Sequence, residues 1–200
     1  MKSFAALSAS SIGKAAAKLM TNQSTDDHGD IKIRLLLADD LPAVAALHAA
    51  AFGPGRFSRT AYRVREGAAD VSPHCHVATR ATELVGAVSM TQIAVGKVAS
   101  HWLLGPLAVH SSDTNKGLGQ RLITAALQSV TSHATPQATI ILVGDLAYYS
   151  RLKFEAIPHG QITMPGPVDP ARLLIWRGPD GTREIPSGLV HAVGPSSHRI

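Results

Sequence analysis

The chain has little of what marks the specialised classes of protein. A single cysteine, Cys75, stands in 200 residues, so an internal disulfide framework is excluded and a reducing, cytoplasmic setting is expected. Aromatic residues make up only 4% and charged residues 16%. No apolar run reaches the roughly 18–20 residues that cross a bilayer, so no membrane partner is expected. His74-Cys75-His76 is the one cluster of metal-ligand types, but no second cysteine or paired histidine follows at ligand spacing. A metal site is therefore not expected. The G-x-S-x-G elbow of serine hydrolases and the G-x-x-x-x-G-K-[ST] phosphate loop are both missing.

Basic residues outnumber acidic ones, 19 to 14, giving a net charge of +5 and a pI near 9.7. They are scattered, with no run of four. Nucleic-acid binders concentrate such charge in a stripe or patch, so a nucleic-acid partner is not expected. A phosphorylated small molecule remains as the anion this balance favours. Acidic residues are absent from the first 25 positions, where Lys2, Lys14 and Lys18 stand among alanines and serines. That composition is like a presequence, though without arginine. Residues 1–29 are set apart as a disordered or targeting-like tail. Residues 30–200 read as a single domain with a proline-rich C-terminal segment, 161–200.

The 45% of hydrophobic residues is enough to build a core, and its patterning divides the domain into elements. Ile31, Ile33, Leu35 and Leu37 alternate as in a strand. Asp39 offers a helix cap, Pro42 an early helical position, and Gly53-Pro54-Gly55 a stop. A second, more polar helix is expected over Ser58–Glu66. His76–Arg80 and Leu84–Ile93 read as an antiparallel hairpin, and Trp102–Val109 as a further strand in which Pro106 demands a bulge or an edge. Helical spacing of Leu118, Leu122, Ile123, Ala126, Leu127 and Val130 gives a helix over Gly117–Val130. Thr139–Val143 follows as a buried strand, Leu146–Leu152 as a short helix capped by Asp145, and Phe154–Ile157 and Leu173–Trp176 as strands. Thr182–Ile185 and Leu189–Val193 are weaker strand candidates. The sum is a mixed α/β (α+β) domain.

The stretch Leu104–Leu127 carries the chemistry. An apolar strand ends at Val109, a polar loop follows, glycines flank Leu118, and an amphipathic helix begins. The first N–H groups of a helix lack internal partners, and the helix dipole adds positive potential there. Glycine at 117 and 119 allows close backbone approach. A phosphate or pyrophosphate is the ligand such a loop suits, although the same glycines would also serve a plain strand-to-helix turn. The dinucleotide fingerprint fails, because Gly119 is followed by Gln120-Arg121-Leu122.

This segment resembles the acetyl-CoA-binding motif of the GNAT N-acetyltransferase superfamily, in which a strand leads into a [Gln/Arg]-x-x-Gly-x-[Gly/Ala] loop and a long helix. Here the loop is Thr114-Asn115-Lys116-Gly117-Leu118-Gly119, with Thr114 in the place of the usual Gln or Arg. Ala147–Phe154 resembles the family's late motif, a helical tyrosine before a Gly-Phe pair. Tyr149 takes the tyrosine position and Lys153 replaces the glycine. Leu104–Val109, Gly144-Asp145 and the proline-rich tail look like a bacterial branch of the superfamily.

The resemblance covers about Ile31–Val193. It implies a GNAT fold, a twisted mixed sheet of six to seven strands flanked by about four helices. It also implies an acetyl-CoA-dependent N-acetyltransferase acting on a primary amine of a small molecule or an exposed amino group. The alternative is a non-catalytic acyl-CoA-binding module, and either could form a homodimer. Cofactor contacts are implied at Leu107, Ala108 and Val109 on the strand and at Thr114, Asn115, Lys116, Gly117, Leu118, Gly119 and Gln120 in the loop. Lys116 and Arg121 would supply charge toward the phosphates. Tyr149 would be the general acid, and Tyr148 packing. A base is harder to place: His101, His110 and Asp145 are the candidates. Phe52, Arg56, Phe57 and Arg59 fall in the segment that covers the acceptor pocket in this fold.

Overall fold

The computed structural model describes residues 31–55, 60–66, 68–69 and 71–194. The expected tail 1–29 lies outside them, as do Ser58, Arg56, Phe57 and Arg59. In chain order the elements are β1 (Ile31–Leu35), α1 (Leu41–Phe52), α2 (Thr60–Arg63), β2 (His76–Arg80), β3 (Glu83–Val95), β4 (Val98–Val109) and α3 (Leu118–His133). They continue with β5 (Ile140–Val143), α4 (Leu146–Tyr149), β6 (Phe154–Ala156), β7 (Ile162–Thr163), β8 (Leu173–Trp176) and β9 (Gly188–Ala192). Four helices and nine strands result among the described residues, with seven strands on one hydrogen-bonded path, β1-β2-β3-β4-β5-β8-β6. β9 joins β3 antiparallel and β7 joins β9. β4 and β5 run parallel, joined by the α3 crossover.

Strand periodicity of two sorts the apolar residues onto the two faces of this sheet. Trp102 and Leu104 of β4, Ile140 and Leu142 of β5 and Leu174 and Trp176 of β8 belong to the cluster under α1 and α3. Their neighbours Leu103, Ile141, Leu173 and Ile175 face the opposite cluster, roofed by Val64, Ile157, Ile162 and Val190. The C-terminal third is thus the second layer of the core.

Local departures from the expected elements have identifiable causes. The N-cap position of α1 falls at Asp40, not Asp39, and its side chain makes no bond to the helix: the carboxylate is taken by Arg34 at 2.6 and 2.8 Å and by Leu37 N–H at 2.9 Å, which closes the turn Ala38–Asp40 before the helix. Of the described residues of the expected second helix, Thr60–Arg63 are helical. Thr182–Ile185 forms no strand; Asp180 caps a turn at Thr182, and the Arg183 guanidinium lies over the Trp176 ring and donates to Ala138 O. β7 was not anticipated, since two residues give no periodic signal. Lys153, at the position where a glycine is usual, adopts φ +64°. A left-handed backbone costs a side-chain-bearing residue roughly 1 kcal/mol relative to glycine. Lys153→Gly is therefore expected to stabilise the fold by about 0.5–1 kcal/mol, read from denaturant midpoints, despite loss of the exposed 2.9 Å bond from Lys153 Nζ to Pro179 O.

Besides His48 of α1, three histidines are built into the interior. His74 sits edge-on to Trp102 with its Nδ1 2.8 Å from Ser129 Oγ, His76 Nδ1 is 3.0 Å from His74 O, and His101 Nδ1 is 2.9 Å from Thr139 Oγ1. Burial lowers the pKa of all three, that of His74 to about 4, with His133 and His76 adding repulsion. Unfolded imidazoles titrate near 6.5, so between these values the unfolded chain binds more protons than the folded one. Stability is then greatest above about pH 6.5 and falls as pH drops toward 4. Thermal melting from pH 7.5 to 4.5 is expected to show a loss of several degrees that begins below pH 6.5; a flat profile would contradict the neutral buried state.

Candidate functional site

The site begins where two neighbouring strands part. β4 and β5 pair at Trp102↔Ile140 and Leu103↔Ile141 and no further. On its other side β4 stays bound to β3, but the register slips: Met90 faces Leu104 while Val88 faces Leu107. The two residues left over are Gly105 and Pro106, joined by a cis peptide. The bulge demanded by Pro106 is present, in the middle of the strand. Past it, Leu107, Ala108 and Val109 pair with Val88, Ala87 and Gly86 on one edge and, among the described residues, with no strand on the other.

The open edge runs into the loop. Ser111–Asp113 makes one tight turn, and Thr114 Oγ1 donates back to Ser111 O at 2.9 Å. Asn115 and Gly117 then adopt φ +60° and +76°, and Gly117 caps α3. Left-handed residues interleaved with ordinary ones turn successive N–H groups toward one point, an anion-binding concavity, and here it coincides with a helix N-terminus. A side chain at Gly117 would meet no atom within 4 Å, so this position faces open space. One at Gly119 would stand 2.8 Å from the Tyr148 hydroxyl.

A cavity of about 530 Å³ follows this path. Of the residues expected from the resemblance, Leu107, Val109, Thr114, Asn115, Gly117, Leu118, Gly119 and Gln120 line it. Ala108 does not, because strand alternation turns it into the core; Lys116 is exposed beside the lining. Arg121 donates to Ile31 O at 3.1 Å instead of facing the cavity. Asp113, Tyr148 and Arg151 complete the wall. Asp113 is buried beside Arg80. Burial pushes its carboxyl up, but hydrogen bonds from Arg80 and Ser112, with Lys116 nearby, hold it below the usual carboxylate value. The paired Arg80 offsets a negative charge that would otherwise repel an anionic ligand.

Of the two tyrosines, Tyr148 lines the cavity, whereas Tyr149, the expected general acid, packs against the core and is not among the lining residues. Tyr148 reaches from α4 across to Gly119. Tyr149 lies against Gly144 and Leu142 at the end of β5, in edge contact with Tyr148 and Phe154 at 4.9 and 5.7 Å. Burial pushes the Tyr149 phenol up to about 12, Tyr148 adding and Arg172 opposing; burial also raises Tyr148. Sequence reading gives Tyr148 a packing role and Arg151 none, although three-residue helical spacing puts them on one face and Tyr149 and Leu152 on the core face. None of the three expected bases lines the cavity. Asp145 accepts from Ala147 N–H at 2.9 Å as a cap, His110 Nδ1 is 2.8 Å from Ser112 Oγ, and His101 is buried.

A mixed sheet splayed at one parallel pair, with an anion-binding turn at the mouth of the splay, defines a protein built to hold an extended, phosphate-bearing cofactor between two strands. Residues 41–151 match the acetyltransferase (GNAT) family, and the chain belongs to that family. Comparison with curated proteins gave no match. Among solved structures, the chain is similar to the GNAT family N-acetyltransferase YhbS from Escherichia coli in complex with CoA, at 25% identity and a TM-score of 0.68, over 82% of this chain and 89% of that one. A GNAT family acetyltransferase from Brucella melitensis in complex with acetyl-CoA shares 22% identity and a TM-score of 0.60, over 83% and 97%. Naa50 of Arabidopsis thaliana with the bisubstrate analogue CoA-Ac-MVNAL shares the fold at 15% identity and a TM-score of 0.53, over 73% and 97%. No helix among the described residues is long and apolar enough to cross a membrane.

Proposed function

We propose that the chain is an N-acetyltransferase that takes its acetyl group from acetyl-CoA and gives it to a primary amine of a small molecule or an exposed amino group. The observation that carries this reading is the continuity of the unpaired β4 edge with the loop Thr114–Gly119. Similar chains hold CoA and acetyl-CoA, and the residues present fit such a ligand. The N–H groups from Asn115 to Gln120 would hold the pyrophosphate, with Arg151 and Lys116 adding charge. The free edge of Leu107–Val109 would pair with the pantetheine arm and donate to the thioester oxygen.

Transfer requires a C–N bond to form at the acetyl carbon and the C–S bond to break. One proton must leave the amine, and one must reach the thiolate. Tyr149 is the proposed donor for the second. With its pKa near 12 it is fully protonated at neutral pH, and it packs against Gly144 at the end of β5. Tyr148, on the cavity wall, would position the sulfur end. The acid on the cavity wall, Asp113, is held by Arg80, and no histidine lines the cavity, so the first proton would pass to water. Turnover would then rise with pH as the acceptor amine loses its proton.

Calorimetric titration of acetyl-CoA into the full chain tests the cofactor, and thiol release with an amine panel tests the reaction. Absence of binding would sink the reading. Tight binding without release to any amine would favour a non-catalytic acyl-CoA-binding module, for which the missing base is the supporting observation.

A further inference from the structure

We infer that Arg65 is a recognition group for a carboxylate on the acceptor, which makes the substrate an amine that carries its own carboxylate, such as an amino acid. The inference rests on the acetyltransferase reading and narrows its acceptor class.

Arg65 follows α2, which is pinned against the second core layer. Thr60 Oγ1 donates to Pro167 O at 2.7 Å, and Val64 is 3% exposed against the face that holds Leu103 and Ile141. The Arg65 side chain turns from there toward the sheet. A Cβ on Gly105 would stand 3.6 Å from Arg65 Nη2. The guanidinium therefore lies on the bulge where β4 leaves β5, two residues before the edge that would meet the thioester. The cradle for the pyrophosphate is at the far end of that edge, so the cofactor's own phosphates do not account for this cation.

Among the described residues no anion pairs with it. Nη1 donates to Ala61 O, and the guanidinium carbon lies 5.6 Å from the Tyr62 ring centroid. Nε is shielded from solvent and has no hydrogen-bond partner. The ion pairs among the described residues are Arg34–Asp40, Arg80–Asp113 and Arg177–Glu155. Burial lowers the Arg65 pKa to about 10, and only Tyr62 and Cys75 oppose it. Withdrawing a cation from water without a counter-charge is costly. A fork of donors with one committed to the chain is shaped for the two oxygens of a carboxylate. The competing account is that Arg65 only ties the end of α2 to β4.

The test compares the common amino acids with their carboxamides, and with aminoalkyl phosphates, as acceptors for the full chain and for Arg65→Gln and Arg65→Lys. Turnover confined to carboxylate-bearing amines is expected. KM for them should rise about 100-fold in Arg65→Gln, with acetyl-CoA affinity unchanged and partial recovery in Arg65→Lys. Equal use of carboxamides, a preference for phosphates, or an unaltered KM in a folded Arg65→Gln would overturn the inference. Thermal shift by the preferred amino acids, wild type against Arg65→Gln, reads the same contact without turnover: a shift lost in Arg65→Gln supports it, and one retained or absent from both overturns it. Failure of acetyl-CoA to bind would instead strike the acetyltransferase reading.

Discussion

Gly117→Val is expected to lower acetyl-CoA affinity by at least about 100-fold while leaving the fold intact. Two effects combine. The residue sits at φ +76°, a conformation that costs a β-branched side chain on the order of 1–2 kcal/mol. Gly117 also lines the cavity, and a side chain there would extend into open space that the cofactor's phosphates are proposed to fill. A chain of 200 residues tolerates the strain; the anion site does not tolerate the lost approach. Calorimetry with acetyl-CoA is the measurement, circular dichroism the control for folding. Unchanged affinity would remove the loop from the cofactor site. Gly119 is the informative comparison, because its substituent would collide with the Tyr148 hydroxyl and report on the tyrosine instead of the cradle.

Tyr149→Phe is expected to reduce kcat by about 100-fold with cofactor affinity nearly unaltered. Supplying a proton to a leaving group contributes about 10²–10⁴ in rate, and removing one hydroxyl leaves the ring packing against Phe154 and Gly144 in place. Tyr148→Phe is expected to act on the other parameter, weakening cofactor binding several-fold through the hydroxyl that faces Gly119. If the rate loss falls on Tyr148→Phe and spares Tyr149→Phe, the two roles exchange. Stopped-flow measurement of thiol release separates chemistry from product departure.

Much of this could be read before the fold was known, and the reason lies in the kinds of signal involved. The phosphate turn is a local device: strand, glycines and helix start are contiguous, so eight of its residues could be named from sequence and were found on the cavity. The conflict of Pro106 with its strand pointed correctly to a bulge. The side chains of Ala108 and Arg121 lie off the cavity lining for a shared reason. Each lies within the motif, but side-chain direction is set by alternation along β4 and by contact with β1, a strand distant in sequence. Tyr148 against Tyr149 turns on helical phase, and the short helix gives too few turns to fix it. Arg65 had no local signal, since its meaning comes from the β4 bulge, which lies far along the chain. The second core layer was also hidden, because residues 157–190 reach the sheet as short, proline-interrupted pieces.

The parting of β4 from β5 has a further consequence, for colloidal behaviour. Over Leu107–Val109, β4 offers on one side backbone donors and acceptors that no other strand among the described residues meets. Exposed edges of this kind recruit strands from neighbouring molecules. Proline is one of the residues that blunts them, as it lacks an N–H, and Pro106 stands at the start of this one. A ligand lying along the remainder would close it as a strand would. Solubility of the empty protein and supply of its cofactor are thereby coupled, and Pro106 acts as the guard for the interval between them.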